Sequence, residues 1–301
     1  MKNVKLFYAL IIFLFMVSFS FGCMDIQRFS LTEDSFFSSA KPPDMEESNV
    51  RSYNGEDIDH HLYGRYFDDS IEAFSFLWEN EGTQQPEGNL PDYLTAAGEN
   101  SDLDITQVSS QELISLFSFL SHPVQGAKVS SVDGQLPNAP RRYRNGVHEG
   151  LDYYSGSSGV SVTKNTPVLA AGPGMVIRAD HGFQEMTREE YEEAVKISHE
   201  AEITPEELLD KFRGKQVWIR HEQGIVTRYA HLNSIESGIQ VGTVVDKGQK
   251  IGTTGNTGTR DSVNNTGQGI HLHFEVWLNG AFLGKDRPVS EVRDIYKQVL
   301  K

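Results

Sequence analysis

Cysteine is almost absent from this chain: among 301 residues only Cys23 carries a thiol. No intramolecular disulfide can form, so stability has to come from packing or from a bound metal. Basic residues are also in deficit, with 27 Lys and Arg against 42 Asp and Glu and a net charge of -15. That balance argues against nucleic acid or an anionic membrane surface as a partner, since both are bound through positive charge. The apolar run at 6–19 is too short to span a bilayer comfortably.

That run, with Lys2 and Lys5 as its basic flank, reads as a targeting segment over 1–22. Gly22-Cys23 then stands where such a leader is cut. A chance cysteine at the end of a cleaved leader or of an N-terminal anchor is the plain alternative. The stronger expectation is a lipoprotein acylated at Cys23, although Ser20 and Phe21 depart from the usual lipobox. The chain is therefore expected to be exported and membrane-anchored in the cell envelope, facing the periplasm or the cell exterior.

What remains is globular in composition, 38% hydrophobic and 23% charged. Residues 23–104 are acidic and scattered with Gly, Pro, Ser and Asn, so they read as a flexible spacer. Within it, 71–78 has apolar residues at near-helical spacing, and His60-His61 reads as a solvated pair. Leu113, Leu116, Phe117 and Leu120 recur at helical spacing and predict a linker helix over 105–121. From 122 to 287 short β-like runs alternate with glycines, which predicts an antiparallel β-sheet or sandwich domain with a groove. Inside it, 187–214 carries two helix starts, a Thr187/Glu190 capping box and Thr204-Pro205-Glu206-Glu207, with Gly214 as the stop. This predicts a helical hairpin inserted between two strands, a wall or lid over the groove. Val292, Ile295, Tyr296 and Val299 predict a C-terminal helix in 288–301. The fold class expected is mainly β, with an N-terminal region partly helical and partly disordered.

Residues 269–277 read Gly-Ile-His-Leu-His-Phe-Glu-Val-Trp, and strict alternation puts His271, His273 and Glu275 on one strand face. Paired imidazoles suit metal ligation or general-base work, the alternative being a solvated pair. Upstream, His148 and Asp152 stand four apart among glycines that disfavour a helix, so they could converge from a loop running into a strand. The alternative is a surface histidine beside a turn-capping aspartate. His231 ends an apolar strand, either as a core histidine or as a third imidazole. His181 and His199 read as surface residues.

Together, His-x-x-x-Asp at 148–152, Tyr-x-His at 229–231 and His-x-His at 271–273 resemble the M23 family of zinc metallopeptidases, the LytM and lysostaphin type. Gly-Leu-Asp, Tyr-Ala-His-Leu, His-Leu-His-Phe-Glu-Val and the glycine-rich stretches 247–252 and 254–258 agree, over roughly 122–287. The resemblance implies one Zn2+ per chain held by His148, Asp152 and His273, with His231 and His271 as catalytic imidazoles beside it. It also implies that the activity is hydrolysis of peptide bonds in peptidoglycan. Glu275, on the same strand face, could hold an imidazole tautomer, the alternative being a solvated glutamate. Two departures, the 187–214 insertion and a long loop at 259–268, bear on specificity. The chief alternative is a non-catalytic M23-like regulator that uses the groove for a partner. The spacer could also hold the enzyme latent, and an activator protein is possible. A hairpin at 245–252 resembles biotinyl and lipoyl carriers too, but neither Lys247 nor Lys250 has their Met-Lys-Met-like setting.

Overall fold

A computed structural model describes residues 103–301. The leader, Cys23, the acidic spacer, His60, His61 and the 71–78 piece lie outside the described residues. Along the chain run α1 (Ser110–Leu116), β1 (Leu151–Tyr154), β2 (Pro167–Leu169), β3 (Gly174–Ala179), α2 (Arg188–Glu200) and α3 (Glu206–Arg213). Then come β4 (Val217–Arg220), β5 (Val226–Ala230), β6 (Ser234–Ile235), β7 (Val244–Val245) and β8 (Lys250–Thr253). The chain closes with α4 (Arg260–Val263), β9 (His271–Leu278), β10 (Ala281–Phe282) and α5 (Val289–Val299). Among the described residues no helix is long and apolar enough to cross a membrane.

The fold is mainly β and its pairings are antiparallel, as expected from the short glycine-punctuated runs. The larger sheet has the order β1-β9-β5-β4-β3-β7, with β10 also on β9, and the smaller has the order β2-β8-β6. Register divides the larger sheet into two chemically distinct faces, because residues directly opposite each other point the same way. On one face Leu151, Phe274, Tyr229 and Val217 stand in line, with Tyr153 opposite Leu272 and Ile219 opposite Thr227. These side chains join one core that also takes Val168 and Ile251 from the smaller sheet. The other face aligns Asp152 with His273 and Ala230, and Glu275 with Arg228, Trp218 and Arg178. That polar face is not solvated: all eight residues of β9 are buried.

Against it lies α3, part of the helical pair α2–α3 that makes an excursion between β3 and β4, which pair directly with one another. The Thr187/Glu190 capping box starts α2, and Gly214, at φ 67°, ends α3. Gly214 is also a close approach, since a Cβ there would sit 2.3 Å from the Thr257 carbonyl oxygen. Two local expectations need correction. Pro205, not Thr204, is the residue that precedes α3, and the Thr204 hydroxyl instead donates to the Asn145 carbonyl at 2.6 Å. The helix expected over 105–121 is only Ser110–Leu116, started by a Ser109/Glu112 capping box. Phe117 and Leu120 still reach the core, but from the turn that follows. α5 is where the sequence places it, with Val292, Ile295, Tyr296 and Val299 buried.

Candidate metal centre

Asp152 and His273 need no long loop to meet, because β1 pairs with β9 in a register that sets them opposite each other. His148 arrives from the segment before β1, its backbone bonded both ways to the turn at Asn138 and Ala139. Gly150 lies between them. A Cβ there would stand 2.6 Å from the Phe274 carbonyl oxygen and 2.9 Å from His273 Cε1, so only glycine lets this crossing come so close. His231 follows β5 at φ 59°, in the left-handed region that costs a non-glycine residue about 1–2 kcal/mol. Two bonds hold it there. Its N–H donates to the Arg213 carbonyl at 2.8 Å, and its Nδ1 lies 2.8 Å from the Thr257 carbonyl oxygen.

His148 Nε2, Asp152 Oδ1 and His273 Nδ1 converge at mutual distances of 3.0, 2.9 and 2.8 Å. All three residues are buried. Their outer hydrogen bonds fix which ring nitrogens carry protons. His148 Nδ1 lies 3.0 Å from the Leu136 carbonyl oxygen, so it must be the N–H and Nε2 keeps its lone pair. His273 Nε2 lies 2.8 Å from Glu275 Oε1, so Nδ1 keeps its lone pair. Three acceptors thus face one point, an arrangement that requires a positive charge among them. Two imidazoles and one carboxylate, leaving a fourth corner open, are the donor set of a catalytic metal site.

The field here is strong. Burial pulls the His148 pKa down to about 3, against the opposing pull of Asp152. Burial acts to raise Asp152, yet His148, with hydrogen bonds from His148 and His273, holds it well below the usual carboxylate range. In His273 burial is outweighed by the hydrogen bonds to Asp152 and Glu275, and its pKa rises to about 9. A proton on His273 can therefore answer the same need as a cation.

Two more imidazoles complete the cluster. The His231 ring centroid is 4.5 Å from that of His271 and 5.6 Å from that of His273. His271 Nε2 stands 3.9 Å from Asp152 Oδ1, while its Nδ1 is 2.7 Å from the Gly269 carbonyl oxygen. Both rings thus spend Nδ1–H on backbone and leave Nε2 as a lone pair. Burial lowers both pKa values, so both are neutral bases. Tyr154 stacks on His271 at 4.2 Å and 10°.

All six site residues named from the sequence on the described chain meet here, and Glu275 does so by direct contact with His273. His181 and His199 lie outside the cluster and are exposed. Sequence reasoning missed three arginines. Arg141 lies 3.3 Å from Asp152 Oδ2, Arg228 lies 3.4 Å from Glu275 Oε2, and Arg213 Nε donates to Glu275 Oε1 at 2.7 Å. Alternation could have put Arg228 on the polar face; nothing local pairs Arg141 or Arg213 with their carboxylates.

Residues 202–284 match the model of Peptidase family M23, a range that contains His231, His271, His273 and Glu275 but not His148 or Asp152. An uncharacterized metalloprotease of Buchnera aphidicola subsp. Baizongia pistaciae is 26% identical over 180 residues, covering 60% of this chain and 35% of that protein. Peptidoglycan DD-endopeptidase ShyC of Vibrio cholerae is 28% identical over 162 residues, covering 54% of this chain and 27% of that protein. The chain thus spans about a third or less of the length of these curated relatives. The crystal structure of a zinc containing peptidase from Vibrio cholerae aligns with a TM-score of 0.35 and 22% identity, over 57% of this chain and 41% of that one.

Proposed function

We propose, on the match of residues 202–284 to the model of Peptidase family M23, that this chain is a zinc-dependent endopeptidase that hydrolyses peptide bonds in bacterial cell-wall peptidoglycan. The observation that carries this reading is the convergence of His148, Asp152 and His273, with ligand atoms within 4.8 Å of one another. Imidazole nitrogen and carboxylate oxygen suit zinc, and three protein donors leave its fourth tetrahedral position for chemistry. One zinc per chain would be held by His148 Nε2, Asp152 Oδ1 and His273 Nδ1. When bound there, the ion supplies Lewis-acid polarisation of a peptide carbonyl and acidifies water.

The remaining work falls to the chain's own groups. His231 and His271 each keep a neutral Nε2 lone pair beside the centre, so they can take a proton from attacking water and return one to the leaving amine. An imidazole protonated in that way also offsets negative charge building on the carbonyl oxygen. Tyr154 holds the His271 ring in plane, and Arg141 occupies Asp152 Oδ2, leaving Oδ1 as the ligand atom.

Zinc content and release of soluble muropeptides by the purified protein test the reading. The His273→Ala variant is expected to lose zinc and cleavage, and His231→Ala to keep zinc while losing cleavage. Equal release of muropeptides by the wild type and both variants sinks the assignment. Zinc binding by a wild type that cleaves no murein transfers the chain to the regulator class. We further propose export and lipid anchoring at Cys23, supported by the basic and apolar leader. Incorporation of labelled palmitate in an expressing bacterium, lost in Cys23→Ser, is the check.

A further inference from the structure

The helical excursion bears on the metal centre in a way a lid does not. α3 is fastened to the polar face of the sheet: Asp210 takes both terminal nitrogens of Arg178, at 2.5 and 2.9 Å. Phe212 packs edge-on between Tyr143 and Tyr191, at 5.8 and 5.7 Å between ring centroids. Asn145, on the segment leading to His148, donates through Nδ2 to the Ala201 carbonyl and takes the Thr204 hydroxyl on its own carbonyl. The excursion is thus tied both to the sheet and to the ligand-bearing segment.

Its last helical residue is Arg213, buried to 4% exposure. The guanidinium donates through Nε to Glu275 Oε1 at 2.7 Å and through a terminal nitrogen to Glu206 at 2.7 Å. The same carboxylate oxygen, Oε1, lies 2.8 Å from His273 Nε2. Glu275 has no solvent exposure, so removing a cation from it leaves a buried carboxylate undercompensated. Arg213 acts on the second imidazole as well, since its backbone carbonyl accepts the His231 N–H that holds that residue at its positive φ.

We propose that Arg213 is a positioning residue of the metal centre: it fixes Glu275, through Glu275 the tautomer and ring plane of His273, and through its own carbonyl the backbone of His231. The 187–214 insertion is then a built-in brace of the zinc site. The inference rests on the metal-centre reading above, and the test separates the two. Zinc affinity of the full chain is measured by competition with a chelator, and ligand geometry by the visible absorption of the Co2+-substituted protein. A wild type that binds no zinc removes the metal-centre reading and this inference together. If the wild type binds one zinc, Arg213→Met is expected to weaken binding roughly 10–100-fold and shift the Co2+ bands, the usual effect of losing a ligand's outer partner. Arg213→Lys, which keeps the charge but not the two-pronged grip, is expected to lose less. In a Glu275→Gln background Arg213→Met should add no further loss; additive losses overturn the route through Glu275. Wild-type affinity and spectrum in folded Arg213→Met overturn the proposal, or in Arg213→Lys should the Met variant not fold.

Discussion

Gly150 sets the clearance of the whole centre. An added methyl would press on the Phe274 backbone and on the edge of the His273 ring. Gly150→Ala is therefore expected to cost about 1–3 kcal/mol, the range for overpacking, and to weaken zinc binding because the ring that must yield is a proposed ligand. Denaturant unfolding with and without zinc reads both effects; unchanged zinc affinity counts against the geometry. At this scale the sequence spoke unevenly. Alternation alone set His271, His273 and Glu275 on one face, since a strand leaves no other arrangement. The glycines around His148 and Asp152 disfavoured a helix, but that the two converge, rather than lie apart on a turn and the surface, follows only from the pairing of Asp152 with His273. Arg213 and Glu275 are 62 residues apart, and a basic residue near the end of a charged helix looks like one more solvated side chain.

Among the elements, the start of α2 was legible because its cap is local. Thr187 and Glu190 bond reciprocally, so Thr187→Ala is expected to destabilise by roughly 1 kcal/mol, seen as a lower urea midpoint at unchanged slope. Helix ends were less legible. Periodicity ran on through Phe117 and Leu120, but burial and not helical backbone is what repeats there, so α1 stops after one capped stretch of seven residues. Thr204 misled for a related reason: its hydroxyl had a tertiary partner, Asn145, that outbid the local one. α1 packs against α5, and its Leu113, which has no exposure, joins the same core. Leu113→Ala should cost about 2–5 kcal/mol in urea unfolding, and a loss below ~1 kcal/mol would mean that α1 is not part of the cooperative unit.

The molecule as a whole should be acid-sensitive even without metal. His221 is buried, with Nδ1 2.7 Å from the Pro173 carbonyl oxygen and Nε2 2.7 Å from Thr227 Oγ1. Burial lowers its pKa to about 4, against a smaller upward pull from the Pro173 bond, and burial also lowers His122 to about 4. Both are neutral in the fold, while the unfolded chain takes up protons near 6.5, so their contribution is whole above pH ~6.5 and disappears as pH falls towards 4. For His221 the loss is roughly 3 kcal/mol. Urea midpoints of zinc-free protein should drop between pH 6.5 and 4, with a shallower drop in His221→Gln, and should decline separately between about 7 and 9 as His273 gives up its proton; equal acid-side slopes in wild type and His221→Gln refute the assignment. The final consequence concerns β1, which among the described residues has only β9 as a ladder neighbour. An ion gripped by Asp152 on that outermost strand and by His273 on the next would stitch the sheet's rim shut. In a protein whose lone thiol cannot cross-link its own chain, such a clasp does the work disulfides do elsewhere. Chelation should therefore speed hydrogen exchange at the β1 amides before it lowers the melting temperature, and equal exchange rates with and without zinc would show that the rim holds unaided.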